Sequence, residues 1–221
     1  MIVAIDGPAA SGKGTLARRL AAALDLAYLD TGMVYRATAA KALERLGQPG
    51  AMPDEDLLTA YAQELTSEDL ARPNLRDEAV GEMASVAAAS SPVRAALLDF
   101  QRRFATRPPA GKVGAVLDGR DIGTVVCPDA LVKLYVTASA EVRAQRRHKE
   151  LIERGEESIY ARVLRDLEQR DRRDSSRSVA PLKPAEDAVV LETSDMDAEA
   201  TFDKAMDIVR LRTGLDAPDP A

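Results

Sequence analysis

Nine consecutive residues near the start, Gly7, Pro8, Ala9, Ala10, Ser11, Gly12, Lys13, Gly14 and Thr15, have the types and spacing of a phosphate cradle. Before them comes a short apolar run, residues 2–6. After them, leucines recur every four positions at Leu16, Leu20 and Leu24. A strand, a glycine-rich loop and a helix in that order turn successive backbone N–H groups toward one point, with the positive end of the helix dipole behind them. Gly7 and Gly12 belong there because a Cβ would block close approach and forbid the required dihedrals. Lys13 supplies a point charge where negative charge gathers during phosphoryl transfer. A second feature is Asp118, which ends the apolar run at residues 113–118. A carboxylate at a strand end can hold a water on a metal ion, or it can simply begin a turn.

The phosphate could go to water, to a switch mechanism or to a second small molecule. A guanine-reading N-K-x-D is absent from the sequence, which argues against a GTP switch. What the chain has is arginine placed beside loop and helix starts. Arg36 follows Asp-Thr-Gly, Arg94 follows Ser91-Pro92, and Arg120 follows Asp118-Gly119. Arg143, Arg146, Arg147 and Arg154 share one charged helical stretch, and Arg170, Arg172, Arg173 and Arg177 close the next. Most of these are expected on a solvated face, in pairs such as Arg146 with Glu150. The run at residues 169–182 is different: its arginines crowd together and need a bound anion, or Asp171 and Asp174, to relieve repulsion. Phosphoryl transfer asks mainly for positioning and charge neutralisation, so convergent arginines suit it.

Composition narrows the partners. The net charge is −6 and aromatics make up 4%, a poor match to general nucleic-acid binding. One histidine, His148, disfavours a histidine-based scheme or a histidine-rich metal site; it is expected exposed. One cysteine, Cys127, forbids an internal disulfide, is expected inert and partly buried, and fits a reducing cytosol. No run approaches the ~18 apolar residues of a membrane span. The expectation is a cytoplasmic protein.

The elements that must position these residues alternate. Strands are expected at 2–6, 26–30, 113–118, 131–136 and 188–193. Helices are expected at 13–24, at 32–46 with Gly47 and Pro49 as stops, at 139–153 and 158–170 around Gly155, and at 197–212. Residues 50–110 carry helical patterns only, with Ser91 as a cap and Pro92 in the first turn. The tail, 214–221, is expected to fray. This is an α/β pattern: a five-stranded, mostly parallel sheet with helices on both faces.

Five stretches, IDGPAASGKGT, YLDTGMVYR, SPVRAALL, LDGRDIGTVVCPDA and RDRRDSSRSVAPL, appear in the order seen in bacterial cytidylate kinases, of the nucleoside monophosphate kinase group, which the chain resembles over most of residues 1–210. The Gly14-Thr15 ending of the loop is typical of small nucleotide kinases. The resemblance implies a P-loop core (1–50, 107–138, 178–213), an acceptor-binding insert (51–106) and a lid (139–177). It implies transfer of the γ-phosphoryl group of ATP, with Mg²⁺, to CMP or dCMP by a monomer. Residues Gly7 to Thr15 would cradle ATP. Thr31, placed to cap the second helix, and Arg36 would hold the acceptor phosphate, with Arg120 opposite. Ser85, Arg94, Asp121 and Arg177 match positions facing cytosine, and Arg170 with Asp174 the sugar-facing pair. Lys13, Arg120, Arg170 and Arg173 would act on the transferring group, joined by lid arginines such as Arg146 or Arg147. The alternatives are a kinase for UMP or AMP, or a regulatory ATPase. Three departures stand out: Thr at 31 where Ser is commoner, a shortened segment at 55–90, and a longer loop at 107–114.

Overall fold

The computed structural model describes residues 1–46, 53–177 and 179–215. The expected stop at Gly47 and Pro49 and the tail beyond residue 215 lie outside the described residues. By backbone proximity the chain divides into two compact units, Met1–Leu29 with Pro108–Ala221, and Asp30–Arg107.

The first unit is built on five strands: β1 (Ile2–Asp6), β2 (Ala27–Asp30), β3 (Ala115–Gly119), β4 (Val132–Thr137) and β5 (Val189–Glu192). They form one parallel sheet in the order β2-β3-β1-β4-β5. This is the α/β P-loop arrangement the alternation predicts. The interior strands β1 and β3 are apolar and almost wholly buried, as strands covered on both faces must be. The edge strand β5 is more exposed. Helix α1 (Lys13–Ala23) buries Leu16, Ala17, Leu20 and Ala21 in a cluster with Val3, Ile5, Val116, Leu134 and Leu191 of the sheet and with Ala205 and Val209. The last two belong to the closing helix, Ala198–Thr213.

From β1 the chain crosses to β2 on one side, while β4 lies on the other. Their carboxyl ends flank a topological switch point, where such sheets bind ligands. Asp6 pairs in register with Gly119, so the loop beginning at Gly7 and the loop beginning at Arg120 leave the sheet side by side. Strand β3 starts two residues later than the pattern suggests. Gly114 lies so close to the Met1 backbone that a Cβ would sit 2.0 Å from the Met1 carbonyl oxygen; the Val113 and Gly114 carbonyls accept from the Met1 amine and the Ala27 N–H, and the regular strand begins with Ala115.

The second unit is helical, with no strand among its described residues: α2 (Thr31–Leu46), α3 (Glu55–Gln63), α4 (Glu78–Ala87) and α5 (Ser91–Thr106), plus short 3₁₀ turns at Glu68–Ala71 and Pro73–Arg76. Helix α2 packs along α4 and α3, and α3 along α5. Helix α5 is capped one residue earlier than expected. Ser90, not Ser91, accepts the Val93 N–H, which puts Pro92 inside the first turn.

Two further helices of the first unit, α6 (Ala140–Glu153) and α7 (Tyr160–Ser175), join through Gly155 at φ +76°. Helix α7 runs five residues past the expected end and carries the arginine-rich run on its last turns. The closing helix is α8, Ala198–Thr213.

Candidate active site

The loop after β1 has the backbone a phosphate cradle needs. Gly7, at φ +153°, sits where a Cβ would lie 2.0 Å from the Val136 carbonyl oxygen. Gly12, at φ +88°, caps α1 in the left-handed region without a side chain to occupy the first-turn N–H groups. The Ser11 hydroxyl is buried, with no hydrogen-bond partner among the described residues. A buried hydroxyl left so costs stability unless a ligand reaches it. Gly14 faces the Asp118 carboxylate, 3.4 Å from where its Cβ would be. Asp118 is itself buried and accepts a 2.7 Å hydrogen bond from the Tyr28 hydroxyl.

The loop at the end of β3 holds the second group. Asp6, 4% exposed, accepts the Ile122 N–H on Oδ1 and the Gly123 N–H on Oδ2, each at 2.7 Å. Burial pushes its carboxyl up to about 6, against the pull of those two amides. A single π-helical turn, Ile122–Val126, follows, with the backbone carbonyl of Asp121 at its start. Arg120 donates from Nε to Asp174 Oδ2 at 3.1 Å and from Nη1 to its neighbour's carbonyl, Gly119 O, at 3.2 Å.

Asp174, 2% exposed on α7, gathers the arginine run. Arg177 donates from Nη2 to its Oδ1 at 2.6 Å, and Arg170 approaches Oδ2 at 3.9 Å. Three guanidiniums thus converge on one buried carboxylate, an arrangement of the kind that suits a phosphate or another anion. Arg173 is exposed. Crowding in this run is thus relieved by carboxylates: Asp174 for Arg120 and Arg177, and Asp171 for Arg143 of α6 at 2.6 Å.

Helix α6 departs from expectation. Arg146 does not pair with Glu150; that carboxylate binds Arg147 at 2.9 Å and Arg154 at 3.8 Å. Arg146 turns inward and donates to the carbonyls of Ser11 (3.4 Å), Thr193 (2.6 Å) and Met196 (3.3 Å). His148 is not exposed either. It is half-buried, with Nδ1 2.8 Å from the Ser158 hydroxyl and its ring edge-on to Tyr160. Cys127 is buried.

The second unit holds the remaining candidates. Thr31 is buried and is the first residue of α2, so the side chain that serves the helix start is the preceding one, Asp30, which accepts the Gly32 N–H at 3.0 Å. Arg36 donates from Nη1 to Leu75 O at 2.8 Å and lies over Gly81 of α4, where any Cβ would come within 2.9 Å of it. Ser85, half-buried, is one helical turn beyond Gly81 on the same face of α4. Arg94 donates to Ala88 O at 3.2 Å, with its guanidinium 5.7 Å from the Tyr35 ring. The structure therefore gathers Lys13, the loop, Arg120, Asp121, Arg170, Asp174 and Arg177 in one unit, and Thr31, Arg36, Ser85 and Arg94 in the other. Asp6 and Tyr28 were not legible as site residues. A carboxylate ending a buried strand was the available signal for Asp6; Tyr28 gave none.

The sequence model described as cytidylate kinase matches residues 3–211. The cytidylate kinase of Paramagnetospirillum magneticum is 59% identical over 208 residues, 94% of this chain and 97% of that one. The cytidylate kinase of Methylocella silvestris is 57% identical over 209 residues, covering 95% and 94%. Among solved structures, an uncharacterized protein from Eubacterium ventriosum aligns with a TM-score of 0.55 at 11% identity, over 96% of this chain and 98% of that one. TT1252 from Thermus thermophilus aligns with a TM-score of 0.50 at 20% identity, over 96% and 97%. At such identities these two show likeness of fold alone.

Proposed function

The chain belongs to the cytidylate kinase family, and from that premise we propose that it moves the γ-phosphoryl group of ATP to CMP or dCMP, giving ADP and CDP or dCDP, in the cytoplasm. The observation that supports this best is the pairing of two features at neighbouring strand ends. One is a loop with a buried, unpartnered Ser11 hydroxyl; the other is a cluster of Arg120, Arg170 and Arg177 around one buried carboxylate. The loop suits the donor's phosphates, and the guanidiniums suit charge that passes between two nucleotides.

Residues Gly7 to Thr15 would bind the donor. Mg²⁺ would arrive with it, supplying charge neutralisation on the donor phosphates. Its protein ligand would be the exposed Thr15 hydroxyl, a hard oxygen of the kind Mg²⁺ accepts alongside phosphates and waters. Among the described residues no three His, Cys, Asp or Glu side chains cluster to hold a metal, which leaves most ligands to the nucleotide. Lys13, Arg120, Arg170 and Arg173 would neutralise the transferring group. Thr31 and Arg36 would hold the acceptor's phosphate, Asp174 and Arg170 its sugar, and Ser85, Arg94, Asp121 and Arg177 its base. Residues 51–106 would form the acceptor insert and 139–177 a lid that excludes water, because an open site would spend ATP on hydrolysis.

Base choice follows from hydrogen bonding. Cytosine offers an amine donor with acceptors at N3 and O2, and uracil presents the wrong group. An unmatched buried polar group costs roughly 1–3 kcal/mol, at least about tenfold in selectivity. Steady-state kinetics with CMP, dCMP, UMP and AMP test this, alongside Arg177→Met. The expected result is preference for the cytosine nucleotides and, in the variant, a much larger rise in KM for CMP than in Kd for ATP. Equal losses for both ligands would remove the base-recognition assignment.

A further inference from the structure

Arg143 is charged and buried, and none of the roles above uses it. It lies in the first turns of α6, and its guanidinium reaches three other places. Nε donates to Ala138 O at 2.9 Å, just after β4. Nη1 donates to Ala9 O in the phosphate loop at 3.3 Å, and Nη2 to Asp171 Oδ2 on α7 at 2.6 Å. Side-chain exposure is 6% for Arg143 and 24% for Asp171, so solvent screens the pair weakly. Apolar contacts follow the same path. Ala9 packs with Ala144 of α6 and with Val163 and Leu167 of α7, and Ala10 lies against that cluster. Ala10 holds φ +59°, a conformation that costs an L residue roughly 1–2 kcal/mol and lasts only where its surroundings enforce it.

We propose that Arg143 and Asp171 are a positioning pair that locks the tip of the phosphate loop to α7, so that the loop's N–H groups and residues 170–177 keep one register. The proposal rests on the functional reading above. Asp171 lies one turn before Asp174, so a shift of α7 at Asp171 moves the carboxylate that holds Arg120 and Arg177. Loop and arginine cluster then share one rigid seat.

Asp171→Asn keeps the shape and an acceptor oxygen but removes the charge. Arg143→Lys keeps the charge but loses the fork that serves three acceptors. Both are compared with wild type in ATP and CMP kinetics, thermal melting and amide hydrogen exchange at residues 9–13. Each variant is expected to lower kcat roughly 10- to 100-fold, the loss that follows from misplacing reacting groups by about 1 Å. KM for ATP should change less than about threefold, because the lost interaction acts in the transition state. Loop amides should exchange about tenfold faster or more. The double variant should be no worse than the poorer single, as for residues acting as one unit. Lys149→Gln, exposed on α6, should match wild type.

Folded variants with wild-type kcat and loop protection, whatever their melting temperature, would overturn the proposal; so would losses that multiply in the double variant. If one variant does not fold, the other decides. A wild type that cannot phosphorylate CMP would remove the functional reading, and loop exchange would still decide whether the pair seats the loop.

Discussion

Charge on single side chains separates the groups that act from the groups that hold. Lys13 is the first residue of α1, a helix whose N-cap, Gly12, makes no side-chain cap hydrogen bond, so its charge sits where donor phosphates would bind. Lys13→Ala should abolish transfer while leaving the thermal melt within about 0.5 kcal/mol of wild type, as for a surface change away from packing; a collapsed fold would mean the lysine is structural. Asp6 is the converse case, a holding residue. Its carboxyl sits at about 6 in the fold against an ordinary value of 3.8, chiefly because of burial. The folded chain therefore binds this proton more tightly than the unfolded one. From this group, stability is fullest below about pH 4 and declines as pH rises toward 6. Melting of wild type against Asp6→Asn from pH 4 to 7 should show the wild type losing ground by up to roughly 3 kcal/mol. A constant offset between the two curves would contradict that account of Asp6. At this scale the phosphate loop was legible, because glycine, lysine and threonine at fixed spacing have few other uses. The inward turn of Arg143 and Arg146 was not. Their i,i+3 spacing puts them on one face of α6, but no local feature tells that loop carbonyls wait there rather than water.

Elements were legible where apolar period and punctuation agree. The five strands and the absence of strands from the second unit's described residues follow from such runs, and boundaries shift where a long-range contact intervenes. Strand β3 starts at Ala115, directly after the close pass of Met1 at Gly114, a contact between residues far apart in sequence. Helix α7 outlasts its expected end, and at its last turns Asp174 meets Arg170 one turn before it, Arg177 just beyond the helix and Arg120 from the loop after β3, so the crowded arginines become a tertiary anchor. The start of α5 offers a direct comparison of two adjacent serines. Ser90→Ala removes the acceptor for the Val93 N–H and should cost about 1 kcal/mol in urea denaturation. Ser91→Ala should stay within about 0.5 kcal/mol. Equal costs would return the cap to Ser91.

For the molecule as a whole, a net charge of −6 coexists with arginines concentrated around buried carboxylates, so the attraction for polyanions is local. No described helix is long and apolar enough to cross a membrane. The alternation of strands and helices made the architecture readable, since only a parallel sheet accommodates it. The joint use of a donor and an acceptor was readable only through resemblance: composition and spacing point to phosphate and then leave its destination open. Whether the phosphate passes to CMP or to water is therefore the question that matters most. It is answered by incubating the full chain with ATP, Mg²⁺ and CMP and quantifying ADP, CDP and free phosphate together. The account predicts ADP and CDP in equal amounts, little free phosphate, and no response to added nucleic acid. ADP matched by free phosphate, with no CDP, would contradict it.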